Sequence, residues 1–137
     1  MQTILGASGI IGTELAKALP AYSSSIRLVS RTPKKVNETD ELVAADLLNA
    51  AQTEAAVQGA EIVYLAAGLV YKTTVWHEQW PIVMRNVIDA CKKQGAKLVF
   101  FDNIYMYGPV TGVMTEETPF NPSSEKGKIR AAIANML

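Results

Sequence analysis

Short apolar runs alternate with helix-periodic segments along the whole chain. A short apolar run predicts a buried strand, whereas apolar residues three or four positions apart predict one face of an amphipathic helix. Glycine and proline interrupt the pattern at many of the boundaries. The predicted strands are residues 2–5, 26–30, 42–46, 61–67 and 97–102, and the predicted helices are residues 10–19, 49–59, 77–95 and 123–137.

Several local features refine these elements. The run "KLVFFD" at 97–102 contains four consecutive apolar residues rather than an alternating pattern, so we expect a strand buried on both faces. Pro81 is expected in the first turn of its helix, where its missing N–H is harmless. Ser123 or Ser124 is expected to cap the last helix. Polar or unpatterned segments, predicted to be loops, cover residues 31–41 and 108–122.

The alternation of strands and helices predicts the fold class. It is typical of an α/β protein with a doubly wound parallel sheet, in the Rossmann-type three-layer αβα arrangement. The length of 137 residues suits one domain, residues 1–137. The last helical pattern carries no stop signal at Leu137, so we expect the N-terminal part of a longer chain with a substrate lobe beyond it. The alternative is a frayed natural end.

Composition excludes several classes of protein. Lysine plus arginine equals aspartate plus glutamate at 13 each, and nucleic-acid binding usually leaves a basic excess. Cys91 is the only cysteine, which excludes an internal disulfide and fits a reducing compartment. No stretch is long enough to span a bilayer, and one histidine makes a poor metal site. We therefore expect a cytoplasmic protein with a small-molecule substrate and no nucleic-acid, membrane or metal partner.

The stretch "ILGASGIIG" at 4–12 places three glycines between the first strand and the first helix. One glycine permits the tight turn, one lets a pyrophosphate approach the backbone, and one lets the helix pack against the sheet. Backbone N–H groups at the helix start then face the anion. The pattern predicts a dinucleotide site, and the alternative is a glycine-rich turn without a ligand. The residues of this predicted cradle are Gly6, Ser8, Gly9, Ile10, Ile11 and Gly12.

The end of the second strand indicates which dinucleotide is preferred. Domains that prefer NAD usually place an acidic residue there to hold the ribose hydroxyls. This strand ends in "VSRTPKK", so Ser30 and Arg31 stand where the acid would be. Arg31 can grip a 2′-phosphate with two hydrogen bonds, helped by Lys34 and Lys35. We therefore predict NADP rather than NAD, with a solvated loop arginine as the alternative.

Four motifs in order resemble the extended short-chain dehydrogenase/reductase superfamily, and within it the NAD-dependent epimerase/dehydratase family. They are "GASGIIG", "AADL" at 44–47, "LAAG" at 65–68 and "NIYMYG" at 103–108. The resemblance covers essentially the whole chain. It implies that Asp46 hydrogen-bonds the adenine amino group beside Leu47, and that small residues let the adenosine ribose lie close. An ordinary loop aspartate and simple close packing are the alternatives. The small residues concerned are Ala66, Ala67 and Gly68.

The catalytic positions depart from the family pattern. The resemblance implies a Ser or Thr before the "YG" pair, and then a Tyr and a Lys four residues apart on the next helix. Those positions carry Asn103, Lys126 and Arg130. Lys126 can exchange a proton, Asn103 can hydrogen-bond a substrate carbonyl, and Arg130 can hold ribose hydroxyls but cannot exchange protons. The alternative is that Lys126 and Arg130 form a solvated basic face or grip a phosphate.

Two functions from different classes follow. The first is an NADP-linked reductase or epimerase acting on a small carbonyl or hydroxyl compound or a nucleotide sugar. The second is a catalytically silent NADP-binding protein that senses redox state or acts as a scaffold. Tyr105 and Tyr107, just after the fifth strand, can each supply a phenol to a site or pack under the following loop. The long helix at 77–95 can pair across a homodimer.

Overall fold

Every predicted strand and helix is present, with some of the ends shifted. The computed structural model describes all residues from Met1 to Leu137. The strands are β1 (Gln2–Leu5), β2 (Ile26–Ser30), β3 (Glu41–Ala44), β4 (Ile62–Leu65) and β5 (Lys97–Phe100), and the helices are α1 (Ile10–Ala18), α2 (Ala50–Val57), α3 (Thr73–Gln94) and α4 (Glu125–Ala134).

The five strands form one parallel sheet in the order β3-β2-β1-β4-β5. The chain moves outward from β1 in one direction through β2 and β3, and then returns to the other side of β1 for β4 and β5. Because parallel crossovers are right-handed, the two directions place crossover helices on opposite faces of the sheet. The predicted α/β Rossmann-type class is confirmed.

The chain divides into two compact units, each of which takes part of α3. Residues 1–68 and 85–101 form the sheet unit, and residues 69–84 and 102–137 form the helical unit. In the sheet unit the central strands are almost completely buried. One apolar cluster packs α1 against the strands, and its buried members are Ile4, Ala7, Ala16, Leu19, Ile26 and Leu28.

Strand β5 is more exposed than the sequence predicts. Along Lys97–Phe100 exposed residues alternate with partly buried ones, and 39% of Val99 is exposed. Phe101, the residue after the strand, is 59% exposed. The expected burial on both faces is wrong because β5 is an edge strand that pairs only with β4.

Helix α3 begins four residues earlier than predicted, at Thr73 rather than His77. Pro81 therefore lies inside the helix and not in its first turn, so that prediction is wrong. The early start was hidden because threonine and valine have modest helix propensity, which makes "TTV" resemble a strand or loop. Trp76 and Trp80, one turn apart in this first half of the helix, are both buried.

The predicted apolar face of α3 is packed within this chain. Burial raises the pKa of the Cys91 thiol to about 11, as expected for a cysteine that serves as a core residue. A homodimer through this helix stays a prediction, and it would need other residues. No helix in the structure combines the length and the apolar character that crossing a membrane requires. The buried residues on this face are Trp80, Val83, Met84, Val87, Ile88 and Cys91.

Helix α4 dominates the helical unit. Ser124 is its N-cap, as one of the two predicted alternatives, and its hydroxyl accepts a 3.0 Å hydrogen bond from the Gly127 N–H. The helix ends at Ala134, so the expectation that it runs to Leu137 is wrong. Turn-type hydrogen bonds replace the helical ladder in the last residues. A short 3₁₀ turn at Tyr105–Tyr107, absent from the sequence-based elements, lies just before the predicted loop at 108–122.

Candidate functional site

The glycine turn after β1 is shaped by close contact between main chains. Gly6 has φ +90°, a conformation that residues with a side chain rarely adopt. A Cβ at Gly6 would lie 2.4 Å from the Ala67 Cα, and Ala66 N–H donates to the Leu5 carbonyl at 2.9 Å. The turn after β1 and the small residues after β4 therefore lie side by side, at the strand pair where the sheet order changes direction.

The other two glycines bring helix α1 onto the same turn. A Cβ at Gly12 would lie 2.4 Å from the Gly6 carbonyl oxygen and 2.8 Å from the Ala7 Cα. Gly9 is the N-cap of α1, and its N–H donates to the Gly6 carbonyl at 3.0 Å. Each predicted reason for glycine thus has a counterpart in the geometry: a tight turn, an open backbone and close helix packing.

The start of α1 presents unused hydrogen-bond donors. The helical ladder begins with the Thr13 N–H, which donates to the Gly9 carbonyl at 2.9 Å. The N–H groups of Ile10, Ile11 and Gly12 precede that ladder and so have no helical acceptor. The first turn contains no acidic residue, and Ile10 is 84% exposed. These residues fit the pyrophosphate of a dinucleotide, because they offer N–H groups, a positive dipole end and no side chain in the way.

The predicted cofactor-selecting residues lie at the end of β2. The Ser8 and Ser30 hydroxyls hydrogen-bond at 2.7 Å, which connects the glycine turn to this strand end. Arg31 is exposed and makes no hydrogen bond or ion pair within the chain. Lys35 is engaged, because its ammonium group donates to the Glu38 carbonyl at 2.6 Å. Arg31 and Lys34 are therefore the cations of this segment that are free to hold a 2′-phosphate.

A buried carboxylate organises the loop that carries these cations. Asp40 is 4% exposed and accepts hydrogen bonds from the N–H groups of Val36 at 3.1 Å and Asn37 at 2.6 Å. The Asn37 amide in turn donates to the Ala16 carbonyl of α1 at 2.8 Å. Sequence reasoning missed Asp40, whose acceptor role toward N–H groups three and four residues earlier has no motif in the sequence.

Asp46 and Leu47 follow β3. One Asp46 carboxylate oxygen accepts from the Leu48 N–H at 3.0 Å, and its other oxygen has no hydrogen bond within the chain. The Leu47 carbonyl accepts from the Asn86 amide at 2.9 Å, which fixes this backbone to α3 in the sheet unit. Asp46 is exposed, and Asn49 rather than Asp46 caps α2. The second carboxylate oxygen of Asp46 can therefore still accept a hydrogen bond from an adenine amino group, while the first stays bonded to the Leu48 N–H.

The three candidate catalytic positions all lie in the helical unit. Arg130 is only 3% exposed, and its guanidinium forms an ion pair with Asp102 in which Nε donates to Oδ1 at 2.7 Å. Its Cζ lies 4.6 Å from the centre of the Trp80 ring and 5.8 Å from that of Trp76. The solvated-face alternative is wrong for Arg130. Sequence reasoning missed Asp102. The signal that could have identified it is its place in the sequence, directly before the candidate catalytic residue Asn103.

Asn103 connects this ion pair to the next turn of the chain. Its N–H donates to Asp102 Oδ1 at 2.7 Å, and its own Oδ1 accepts from the Tyr105 N–H at 3.0 Å. Its Nδ2 makes no hydrogen bond within the chain. The side chain therefore has donors available for a carbonyl oxygen, which is the role expected from the sequence.

Lys126 lies among aromatic rings. Its Nζ donates to the Thr73 hydroxyl at 3.0 Å and lies 4.2 Å from the centre of the Tyr71 ring. The side chain is partly buried, so it is not part of a fully solvated face either. Arg130, one turn further along α4, has its charge balanced by Asp102. Sequence reasoning did not identify Thr73 or Tyr71, because neither belongs to a motif.

The two tyrosines of the 3₁₀ turn differ in their surroundings. Tyr107 packs edge-on against Phe120, with ring centres 5.4 Å apart. Phe120 belongs to the following loop, so this contact matches the packing alternative. Tyr105 is 40% exposed and stacks on Trp76, with ring centres 6.2 Å apart and an interplanar angle of 22°. Tyr105 is therefore the more accessible of the two phenols.

The strand order and the glycine turn define a Rossmann-type domain. The profile of the NAD-dependent epimerase/dehydratase family matches residues 3–134. The chain belongs to that family, as its motifs predict. No curated protein matches the sequence significantly.

Solved structures with the same fold are dehydrogenases and epimerases. A uronate dehydrogenase from Agrobacterium tumefaciens has a TM-score of 0.84 and 20% identity, over 98% of this chain and 53% of its own. A UDP-galactose 4-epimerase has a TM-score of 0.84 and 24% identity, over 99% and 50%. MoeE5, solved with UDP-glucose and NAD, has a TM-score of 0.81 and 22% identity, over 98% and 47%. The chain spans about half the length of these proteins.

Replacing Gly12 by alanine should destabilise the sheet unit. The new methyl group would overlap the Gly6 carbonyl, and overpacking of this kind costs about 1–3 kcal/mol, which exceeds the roughly 1 kcal/mol that alanine gains in helix propensity. Gly68→Ala is the matched control, because a Cβ there meets nothing within 4 Å. Urea unfolding measures both. Equal stability of the two variants would contradict the steric account.

The losses of unfolding free energy caused by removing Asp102 and Arg130 should be strongly non-additive. Asp102→Asn leaves the Arg130 charge buried without its partner and should cost about 3–5 kcal/mol of unfolding free energy, and Arg130→Met should cost less because Asp102 is partly exposed. The double variant should cost clearly less than the sum of the two single variants. Lys128→Met, which breaks an exposed pair with Glu125, should change stability by no more than about 1 kcal/mol. Additive losses would show that the pair is not coupled.

Proposed function

We propose that this domain binds NADP and belongs to a reductase or epimerase that acts on a small carbonyl or hydroxyl compound or a nucleotide sugar. The observation that carries the proposal is the open cradle at the start of α1, where three glycines keep side chains away from unused N–H groups. Family membership supports a nicotinamide dinucleotide as the ligand. The similar MoeE5 was solved with NAD and UDP-glucose.

The preference for NADP over NAD rests on the end of β2. Ser30 stands where an acidic residue would hold the ribose hydroxyls, and Arg31 beside it is exposed and unpaired. A guanidinium can hold a 2′-phosphate with two hydrogen bonds, whereas a carboxylate would repel it. Asp46, Leu47, Ala66, Ala67 and Gly68 would hold the adenosine half. Asn37 and Asp40 keep the loop after Arg31 in one conformation.

The candidate catalytic residues take different roles in this proposal. A bound dihydronicotinamide supplies the hydride. Asn103 offers Nδ2 donors to the substrate oxygen, and Lys126 assists the proton transfer, either as the proton carrier or as the adjacent charge. Arg130 acts as a positioning residue, because it is buried against Asp102 and the tryptophans and cannot exchange protons.

The wider setting is part of the same proposal. We propose that residues 1–137 are the N-terminal part of a longer cytoplasmic protein whose substrate lobe follows Leu137. The half-length coverage of the similar structures supports this arrangement.

A catalytically silent NADP-binding sensor or scaffold is the second candidate. It is favoured by one observation, namely that the positions for the family's tyrosine and lysine carry Lys126 and Arg130. Such a protein would bind NADPH as tightly as an enzyme does but would not turn over any carbonyl or hydroxyl compound. Turnover by the full-length protein therefore separates the two candidates.

Replacing Arg31 by alanine should weaken NADPH binding and leave NADH binding almost unchanged. Loss of charge-assisted hydrogen bonds to a phosphate, worth roughly 1.5–3 kcal/mol, corresponds to a roughly tenfold to 150-fold rise in Kd. Arg85→Ala removes another exposed arginine of the sheet unit and serves as the control. Titration calorimetry with both cofactors measures the effect. A parent protein that prefers NADH would refute the NADP assignment.

Replacing Lys126 by methionine should abolish turnover and leave NADPH affinity largely intact. The methionine keeps the length and apolar contact of the side chain but cannot take part in proton transfer. Lys128→Met, two residues further along α4, is the control and should keep parental activity. The assay follows NADPH consumption and sugar epimerisation by the full-length protein across aldehydes, ketones and nucleotide sugars. Unchanged turnover in Lys126→Met would remove this lysine from the mechanism.

A further inference from the structure

Two exposed phenols of the helical unit meet at their hydroxyl groups. The Tyr71 and Tyr105 oxygens are 3.3 Å apart, and we call these two residues the phenol pair. Tyr71 is 67% exposed and Tyr105 is 40% exposed, so both hydroxyls are open to a small molecule. The two residues come from segments that follow β4 and β5, far apart in the sequence. Their pairing is therefore a product of the fold and is not visible in any motif.

A single buried indole holds both rings of the phenol pair. Tyr105 stacks on Trp76, and Tyr71 meets the same ring edge-on, with centres 5.5 Å apart and an interplanar angle of 86°. Trp76 is 6% exposed, so it is fixed in the interior. Stacked and edge-to-face contacts are the favoured geometries of aromatic pairs. The phenol pair is thus orientated by packing, although its hydroxyls remain accessible.

The backbone of Tyr105 is held as firmly as its ring. Its N–H is bound by Asn103 Oδ1, and its carbonyl lies against α4 so closely that a Cβ at Gly127 would be only 2.6 Å from it. The glycine of "EKGKIR" therefore permits α4 to approach the 3₁₀ turn. Lys126, the residue before that glycine, is brought over the Tyr71 ring by the same contact.

We propose that Tyr105 is the proton donor and acceptor of this site, with Tyr71 as its hydrogen-bond partner and Lys126 as the adjacent cation. The proposal rests on the reductase or epimerase function proposed above. The phenol of Tyr105 would replace the tyrosine that the family carries on the next helix, at the position where this chain has Lys126. Lys126 then acts through electrostatics and does not itself exchange the proton.

The proton balance in the reducing direction is simple. The O–H bond of Tyr105 would break, and its proton would move to the substrate oxygen as the carbonyl π bond is lost; a bound NADPH would supply the hydride that the carbonyl carbon gains. The electron pair of the broken bond stays on Tyr105 Oη. The Lys126 charge stabilises that phenolate until water returns the proton. Oxidation of a hydroxyl compound by NADP⁺ runs the same steps in reverse.

The ionisation of Tyr105 is compatible with this role. The hydrogen bond with Tyr71 raises the pKa of Tyr105, while the charge of Lys126 acts in the opposite direction. The phenol is therefore protonated at neutral pH, which is the form that a reduction requires. The groups that act on it come from the segment after β4 and from α4.

The test compares four tyrosine-to-phenylalanine variants of the full-length protein. Tyr105→Phe keeps the ring on Trp76 but should lower kcat by roughly 10²- to 10⁴-fold, the usual contribution of a general acid or base. Its Kd for NADPH should stay within about twofold of the parent, as expected for a residue outside the cofactor cradle. Tyr71→Phe should lower kcat less. Tyr22→Phe, an exposed tyrosine of the sheet unit, should change neither quantity.

A second measurement does not depend on turnover. Ultraviolet difference absorbance follows phenolate formation during alkaline titration, and subtraction of the Tyr105→Phe titration isolates Tyr105. In Tyr71→Phe the midpoint of Tyr105 should move to lower pH, because the hydrogen bond that raises its pKa is lost. In Lys126→Met the midpoint should move to higher pH.

The outcomes separate this inference from the function on which it rests. A parent protein without turnover on any substrate of the panel would overturn both. If the parent is active and Tyr105→Phe keeps its kcat, the inference alone is overturned. If Lys126→Met loses kcat and Tyr105→Phe does not, Lys126 rather than Tyr105 is the proton donor. A loss that follows Tyr107→Phe, the fourth variant, would also overturn it. Unshifted midpoints would contradict the coupling of the phenol pair.

Discussion

The close contact between the main chains that leave β1 and β4 determines much of the sheet unit. At this point Gly6 lies so near Ala67 that no side chain fits, and Gly12 lies equally near the Gly6 carbonyl. These contacts hold α1 in place by its first turn. The same lack of side chains leaves the N–H groups of Ile10 and Ile11 open. The cradle for a dinucleotide is therefore a consequence of how two strands and a helix pack, and any residue that fills it also disturbs the packing.

The helical unit depends on a buried pair of charges instead. Arg130 lies against two tryptophan rings and Asp102 accepts a backbone N–H, and these contacts compensate part of the cost of burying the Arg130 charge. From Asp102 a short chain of hydrogen bonds continues through Asn103 to the backbone of Tyr105. Arg130 is thus connected to the backbone N–H of Tyr105 by three consecutive polar contacts. Its burial gives it a positioning role that its sequence position alone does not reveal.

The sheet and the cofactor cradle could be predicted from the sequence because their causes are local. A strand, a spaced set of glycines and a helix are adjacent in the chain, so Gly6, Gly9 and Gly12 can be recognised as one motif. The early start of α3 was hidden because Thr73 and Thr74 have little helical preference and are helical only in the context of the fold. The exposure of Val99 depends on the position of β5 at the edge of the sheet. That position cannot be deduced from the sequence of the strand itself.

The candidate catalytic positions were harder to interpret because their meaning depends on distant residues. Lys126 and Arg130 look like two cations on one helical face until Asp102, Thr73 and Tyr71 are placed around them. The meeting of Tyr71 with Tyr105 has no sequence signal, since the two residues are 34 positions apart and belong to no common motif. Residues that act across such distances can be recognised only after the chain has folded.

The Asp102–Arg130 ion pair has a use in the proposed enzyme that a silent binding domain would not have. A buried ion pair contributes little net stability, and well-packed apolar residues can often replace it at no cost. A domain that only bound NADP through its glycine turn would gain little from such a pair. A domain that must hold Asn103 and Tyr105 in fixed positions does gain, because the Asp102 carboxylate is what anchors the start of that segment. The charge pair therefore fixes the positions of polar groups that the proposed chemistry would use.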